Sequence, residues 1–153
     1  MDIFDELLQS HALQRSICRR LLAEIGNTQE RCGIFDELKT ELAAHETAEE
    51  RAFYVPLLEH DETVDAARHG IAEHHEMDEM VEGIEKLDQG SAEWLELMGK
   101  LIHRLEHHLK EEEEKFFPQA REVLSRHEQQ DLGEPYQEEH DRLRAKEEEQ
   151  GPK

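Results

Sequence analysis

The chain has 153 residues, of which 39 are Asp or Glu and 18 are Lys or Arg, for a formal charge of -21. So acidic a surface repels phosphate backbones and anionic headgroups, which excludes nucleic acid and membranes as partners, and the length suits one domain. No apolar run approaches the ~18 residues of a membrane span, and Met1 to Leu8 carry Asp2, Asp5 and Glu6 without a basic residue, so a cytoplasmic protein with no secretory leader is expected.

High charge at 36% hydrophobic residues would mark disorder were the apolar positions not strongly periodic. Residues 3–25 read as a first helix, with Phe4, Leu7, Leu8, His11, Cys18, Leu21, Leu22 and Ile25 at helical spacing. Gly26-Asn27 closes it, because both residues tolerate the left-handed conformation. Thr28 to Gly33 reads as a polar connection. Helix two is expected over 34–58, with Leu38, Leu42, His45, Glu49 and Phe53 inward and Pro56 kinking or ending it. Asp61 is positioned to cap helix three, 62–88, whose inner stripe is Val64, Ala67, Ile71, His74, Val81 and Ile84. Ser91 is the expected N-cap of helix four, which carries Trp94, Met98, Leu101, Leu105, His108, Glu112 and Phe116 and is interrupted by Pro118. Ser125-x-x-Glu128 is a capping box announcing a short fifth helix. Cys18 and Cys32 form no C-x-x-C motif, and Cys18 reads as a small core residue. The fold class is therefore all-α: an up-down-up-down four-helix bundle over residues 1–127, with a short extra helix and a charged, frayed C-terminal tail over 128–153.

A spacing of 63 residues recurs three times, relating His11 to His74, His45 to His108 and Glu49 to Glu112. Its context repeats: Leu38, Leu42, Phe53 and Tyr54 correspond to Leu101, Leu105, Phe116 and Phe117. Residues four apart share a helix face, so each His-x-x-x-Glu points both side chains inward, at positions filled above and below by Leu, Met, Phe or Ile. Any one of these histidines alone reads more readily as a hydrogen-bonded core residue. Six buried polar groups at one level need a common explanation, because each is costly without a partner. Two metal ions supply one. Glu50 and Glu113 read as rim acids that orient ligands. His75 neighbours His74 but lies off the stripe, His103 and His107 form a pair on a flank, and His60, His69, His127 and His140 carry no spacing signal.

The second and third pairs sit in longer matching stretches: His45-Glu-Thr-Ala-Glu49-Glu50 running into Phe53-Tyr54-Val55-Pro56, and His108-Leu-Lys-Glu-Glu112-Glu113 running into Phe116-Phe117-Pro118, with His11 and Glu73-His74 completing the pattern. Over residues 1–127 the chain resembles a hemerythrin-like domain of the HHE cation-binding family. The resemblance implies a four-helix bundle around a non-haem di-iron centre of two iron ions, bridged by an oxo or hydroxo group. It implies that His11 and His45 bind one iron, that His74 and His108 bind the other, and that Glu49 and Glu112 bridge them. One departure stands out. Oxygen-carrying members place a further histidine one turn after the helix-three ligand, where this chain has Asp78, either a further ligand or a surface acid. The expected function is binding or sensing of dioxygen or a related small oxidant or gas, such as nitric oxide or peroxide. The alternatives are a peroxidase- or oxidase-like enzyme at the same centre and an iron-handling or iron-sensing protein. The oligomeric state is open.

Overall fold

A computed structural model describes residues 1–150, with side chains through Glu147. In chain order the elements are α1 (Ile3–Ala23), α2 (Thr28–Glu49), a π-helical segment (Glu50–Tyr54), α3 (Val55–Leu57), α4 (Val64–Glu85), α5 (Ala92–Glu111), a second π-helical segment (Glu112–Phe116), α6 (Phe117–Val123), α7 (Arg126–Asp131) and α8 (Gly133–Gln150). No strand occurs among the described residues. The long helices pack as a ring, α1 on α2, α2 on α4, α4 on α5 and α5 on α1.

Local capping sets most helix starts. Asp2 and Asp5 close a reciprocal box at the start of α1 (2.9 and 3.2 Å), and Ser91 accepts from the Trp94 N–H at 3.1 Å as expected. Ser125 and Glu128 form the anticipated box before α7. Three expectations need correction. Gly26 and Asn27 do not take the left-handed conformation; α1 ends earlier, at Ala23, through tight backbone turns at Glu24 and Ile25. Asn27 instead caps α2, which starts at Thr28, so the polar stretch to Gly33 is helical. It is held there by Arg31, 4% exposed, which donates to the Ile25 carbonyl (2.6 Å) and the Gln89 carbonyl (2.7 Å) and lies over the Trp94 ring. Asp61 is exposed and caps nothing; Thr63 precedes α4 and donates its hydroxyl to the Leu57 carbonyl at 2.7 Å.

Pro56 and Pro118 act through the turn before them. Each follows a π-helical segment that contains the residue four positions earlier, Ala52 and Glu114 respectively. In an α-helix the ring would collide with that residue's carbonyl; the wider π turn moves the carbonyl aside. The coil therefore continues past Pro118 through Phe117–Val123. The π register also puts Tyr54, five residues after Glu49, back on the inner face. Gly70 makes room for it, because a Cβ at that position would run into the Tyr54 ring.

The expected short extra helix is α7, but α8 is a second, longer element that packs along α2 and α1. Its Tyr136 is 1% exposed, and its His140 and Arg144 pair with the fully buried Glu41 of α2 at 2.9 and 2.7 Å. An unpaired carboxylate inside α2 would be costly, so α8 is tied to the bundle through at least Arg144. Residues 151–153 of the expected tail lie outside the described residues. Apolar side chains form two clusters. One gathers Phe4, Leu7, Phe53, Leu57 and Phe117; the other gathers Ile17, Phe35, Leu38, Trp94, Met98 and Leu101. Along α1 and α2 a buried polar layer separates them.

Candidate metal centre

That layer is built by helical phase. His11 on α1, His45 and Glu49 on α2, His74 on α4, His108 on α5 and Glu112 at the second π-helical segment all point inward, none more than 2% exposed. The structure brings all six sequence-derived residues together. His11, His45, Glu49 and Glu112 hold their ligand atoms within 4.8 Å of one another, as do Glu49, His74 and His108. Each carboxylate reaches both groups. Glu112 Oε1 is 3.3 Å from His11 Nε2 and 3.1 Å from His108 Nε2, and Glu49 Oε1 is 3.5 Å from His45 Nε2 and 3.0 Å from His74 Nε2. Ligands at right angles around one ion with bonds of about 2.0–2.2 Å stand roughly 3 Å apart, so these separations suit shared coordination.

The orientation of every imidazole is set from behind. His11 Nδ1 meets Glu113 at 2.7 Å, His108 Nδ1 meets Glu73 at 2.8 Å, His74 Nδ1 approaches Glu50 at 3.4 Å and His45 Nδ1 meets the Tyr136 hydroxyl at 2.6 Å. With Nδ1 donating, each Nε2 carries its lone pair toward the centre. All four Nε2 atoms, both Glu49 oxygens and Glu112 Oε1 are buried without a hydrogen-bond partner. Seven buried orphan atoms would be a heavy penalty in a core; a bound cation would satisfy them, and the residues present fit one.

The metal-free electrostatics agree. Burial opposes protonation of His11, yet Glu112 and Glu113 outweigh it and push the imidazole up to about 9. Burial likewise opposes protonation of His108, which Glu112 and Glu73 also raise to about 9. His45 is driven down by burial and by the neighbouring His11. Burial and the Glu112 charge raise the Glu49 carboxyl well above its usual range. A cationic metal held by these residues would take the place of the protons that hold this cluster together.

Several contributing residues escaped sequence reasoning. Tyr54 donates to Glu112 Oε2 at 2.5 Å, and its ring lies against His74; its counterpart Phe117 stacks on His11. Glu50 and Glu113, by contrast, were legible as acids that orient ligands, and they stand behind His74 and His11. Glu73, behind His108, corresponds at the 63-residue offset to Ser10, which is too short to reach His45. Tyr136 fills that gap, bonded to Ser10 Oγ and His45 Nδ1 at 2.6 Å each. No periodicity in the sequence points to it. Tyr136→Phe should fold normally but hold metal about 10–100-fold more weakly, as measured by chelator competition. Gln14, one turn beyond His11, is fully buried with neither amide atom partnered.

Asp78 is exposed and belongs to neither ligand group; it lies beside the buried Glu46, whose carboxyl is raised by burial and by Asp78. Asp78→Ala is therefore expected to leave metal content unchanged by elemental analysis. Among the other histidines, His75 and His127 are exposed helix-surface groups. His69 and His140 have tertiary partners that their sequence positions did not signal.

Buried imidazoles and carboxylates converging inside an all-helical fold define a cation-binding helical domain. The model of the hemerythrin HHE cation binding domain family matches residues 2–120, and the chain belongs to that family. No curated protein matches it significantly in sequence. Among solved structures it is similar to a hemerythrin HHE cation binding domain-containing protein from Mycobacterium kansasii. The two share 23% identity with a TM-score of 0.85, over 95% of this chain and 89% of that one, which shows a common fold.

Proposed function

We propose that this protein is a non-haem di-iron protein that binds or senses dioxygen or a related small oxidant or gas. His11 and His45 hold one iron, His74 and His108 the other, and Glu49 and Glu112 bridge them. The observation that carries the reading is the set of orphaned Nε2 and carboxylate atoms, each imidazole already oriented through Nδ1. Ligation by nitrogen and carboxylate oxygen suits ferrous iron, and the iron pair supplies the redox capacity to take up an oxidant. The reading takes α1, α2, α4 and α5 to run up-down-up-down, as their short connections favour. It treats residues 1–127 as the bundle and those from 128 as an addition to it, and it places the protein in the cytoplasm.

This chain's own residues shape access. An open cavity of about 710 Å³ is lined by Glu50, Ile71, Ala72, His74 and Asp78, and offers a small molecule an approach on the His74 side. Gln14 supplies a buried amide one turn from His11 that is free to hydrogen-bond a polar diatomic. Peroxide turnover is the second reading, favoured by Tyr54, whose hydroxyl on Glu112 places a proton donor in the buried layer.

The test is metal analysis with visible absorption on protein loaded anaerobically with ferrous iron and then exposed to air. About two irons per chain and absorption bands of a bridged ferric pair are expected, both absent in the His45→Ala, His108→Ala double variant. A reproducible single metal, or loading indifferent to that double variant, would sink the proposal. Peroxide consumption by the loaded protein separates the enzyme from the binder.

A further inference from the structure

A second group of ligand-type side chains lies behind the centre, on α4 and α5. His69, Glu73 and Glu111 each bring one ligand atom within 4.8 Å of the others. His69 Nε2 stands 3.1 Å from Glu111 Oε1 and 3.4 Å from Glu73 Oε2, the spacing that neighbouring ligands adopt around one ion. Neither approach is a hydrogen bond, and Glu111 Oε1 is buried with no hydrogen-bond partner at all. The Glu73 side chain is 5% exposed; its Oε1 is taken by His108 Nδ1, which leaves Oε2 turned toward His69. Glu111 lies within hydrogen-bonding reach of Glu73, and among the described residues no Lys or Arg pairs with either acid. The two carboxylates and the imidazole between them and solvent thus turn three ligand atoms toward one point, the arrangement that a divalent cation takes. The His69 ring is 54% exposed and rests edge-on against Phe116, so the group is both steadied and open to solvent.

We propose that His69, Glu73 and Glu111 form a surface site for a divalent transition-metal ion, distinct from the buried pair and sharing Glu73 with His108. One imidazole nitrogen and two carboxylates suit Mn2+, Fe2+ or Zn2+, whereas Mg2+ and Ca2+ favour oxygen alone. An ion on Glu73 Oε2 draws charge from the carboxylate that accepts the His108 Nδ1 proton, and so weakens His108 as a donor at Nε2. That consequence rests on the di-iron reading; the outer site itself does not.

The experiment uses the full chain with its buried centre filled by Zn2+, which Mn2+ does not displace, and freed of loose metal by desalting. Mn2+ is then titrated in and the unbound ion followed by electron paramagnetic resonance, with 10 mM Mg2+ as a roughly millimolar-scale competitor for oxygen-only acidic surfaces. One specific Mn2+ per chain is expected, with affinity lowered about 10–100-fold or more in both His69→Ala and Glu111→Gln. Circular dichroism establishes that both variants fold. Mn2+ uptake unchanged in the two folded variants, or abolished by Mg2+, overturns the site and assigns the uptake to general attraction by the acidic surface. Zn2+ content is measured in the same samples. Failure of wild type to retain Zn2+ counts against the buried centre, whereas His69-dependent Mn2+ uptake stands or falls independently.

Discussion

Stripping the metal should lower the thermal midpoint, and by more as pH rises from 6.5 toward 9. The metal-free fold holds His11 and His108 at about 9, where burial's opposition is outweighed by Glu112 with Glu113 or Glu73. A histidine raised in the fold contributes stability that is complete below its ordinary value near 6.5 and is lost as pH climbs through about 9. Glu49 has the same sign: raised by burial and by Glu112, its carboxyl contributes stability that fades as it ionises. Glu112 is different. Burial opposes its ionisation, but the His108 charge beside it holds it well below the usual range, so its contribution is constant across this window. The metal-free protein therefore weakens over the interval in which metal binding strengthens, since each displaced proton costs binding about tenfold per pH unit below the group's pKa. Free metal at a thousandfold over Kd adds about 4.1 kcal/mol, or roughly 8–16 °C at 2–4 °C per kcal/mol. Melting curves of loaded and chelated protein at several pH values test this. A gap that stays constant or narrows toward pH 9 contradicts it.

Removing one bridge should cost both irons, while removing one terminal histidine costs one. Glu112 Oε1 lies near His11 Nε2 and near His108 Nε2, so on the proposed di-iron reading it would serve both metal positions. Glu112→Ala also strips the partner of the Tyr54 hydroxyl and leaves that buried group unsatisfied, at about 1–3 kcal/mol. His11→Ala removes a ligand from one position alone, leaving His74, His108 and both carboxylates. Iron analysis of the anaerobically loaded variants, after circular dichroism establishes folding, is expected to fall toward zero for Glu112→Ala and to about half for His11→Ala. Glu112→Ala retaining half its iron would show that the carboxylate does not bridge, and His11→Ala losing all of it would show that the two positions do not fill separately.

The sequence alone determined the all-helical class, the inward stripes, the Ser91 and Ser125 caps and the six converging residues. The physical reason is locality: helical phase depends on residues three and four apart, and a cap on residues three apart. The 63-residue offset extended that reach, because it pairs Glu50 with Glu113, each behind one ligand histidine. The same rule stops at Ser10, the counterpart of Glu73, since a hydroxymethyl group cannot span to His45. Tertiary structure decided that vacancy by bringing Tyr136 from α8, a helix whose high charge reads as a solvated tail until Glu41 is seen buried against His140 and Arg144. It likewise turned the polar Thr28–Gly33 stretch into helix through Arg31, whose partners are Ile25 and Gln89, from two separate connections, and Trp94 of α5. Asp78, one turn from His74 on paper, ended on the solvent side beside Glu46. Helical phase places a residue on a face, and packing between helices decides what that face meets.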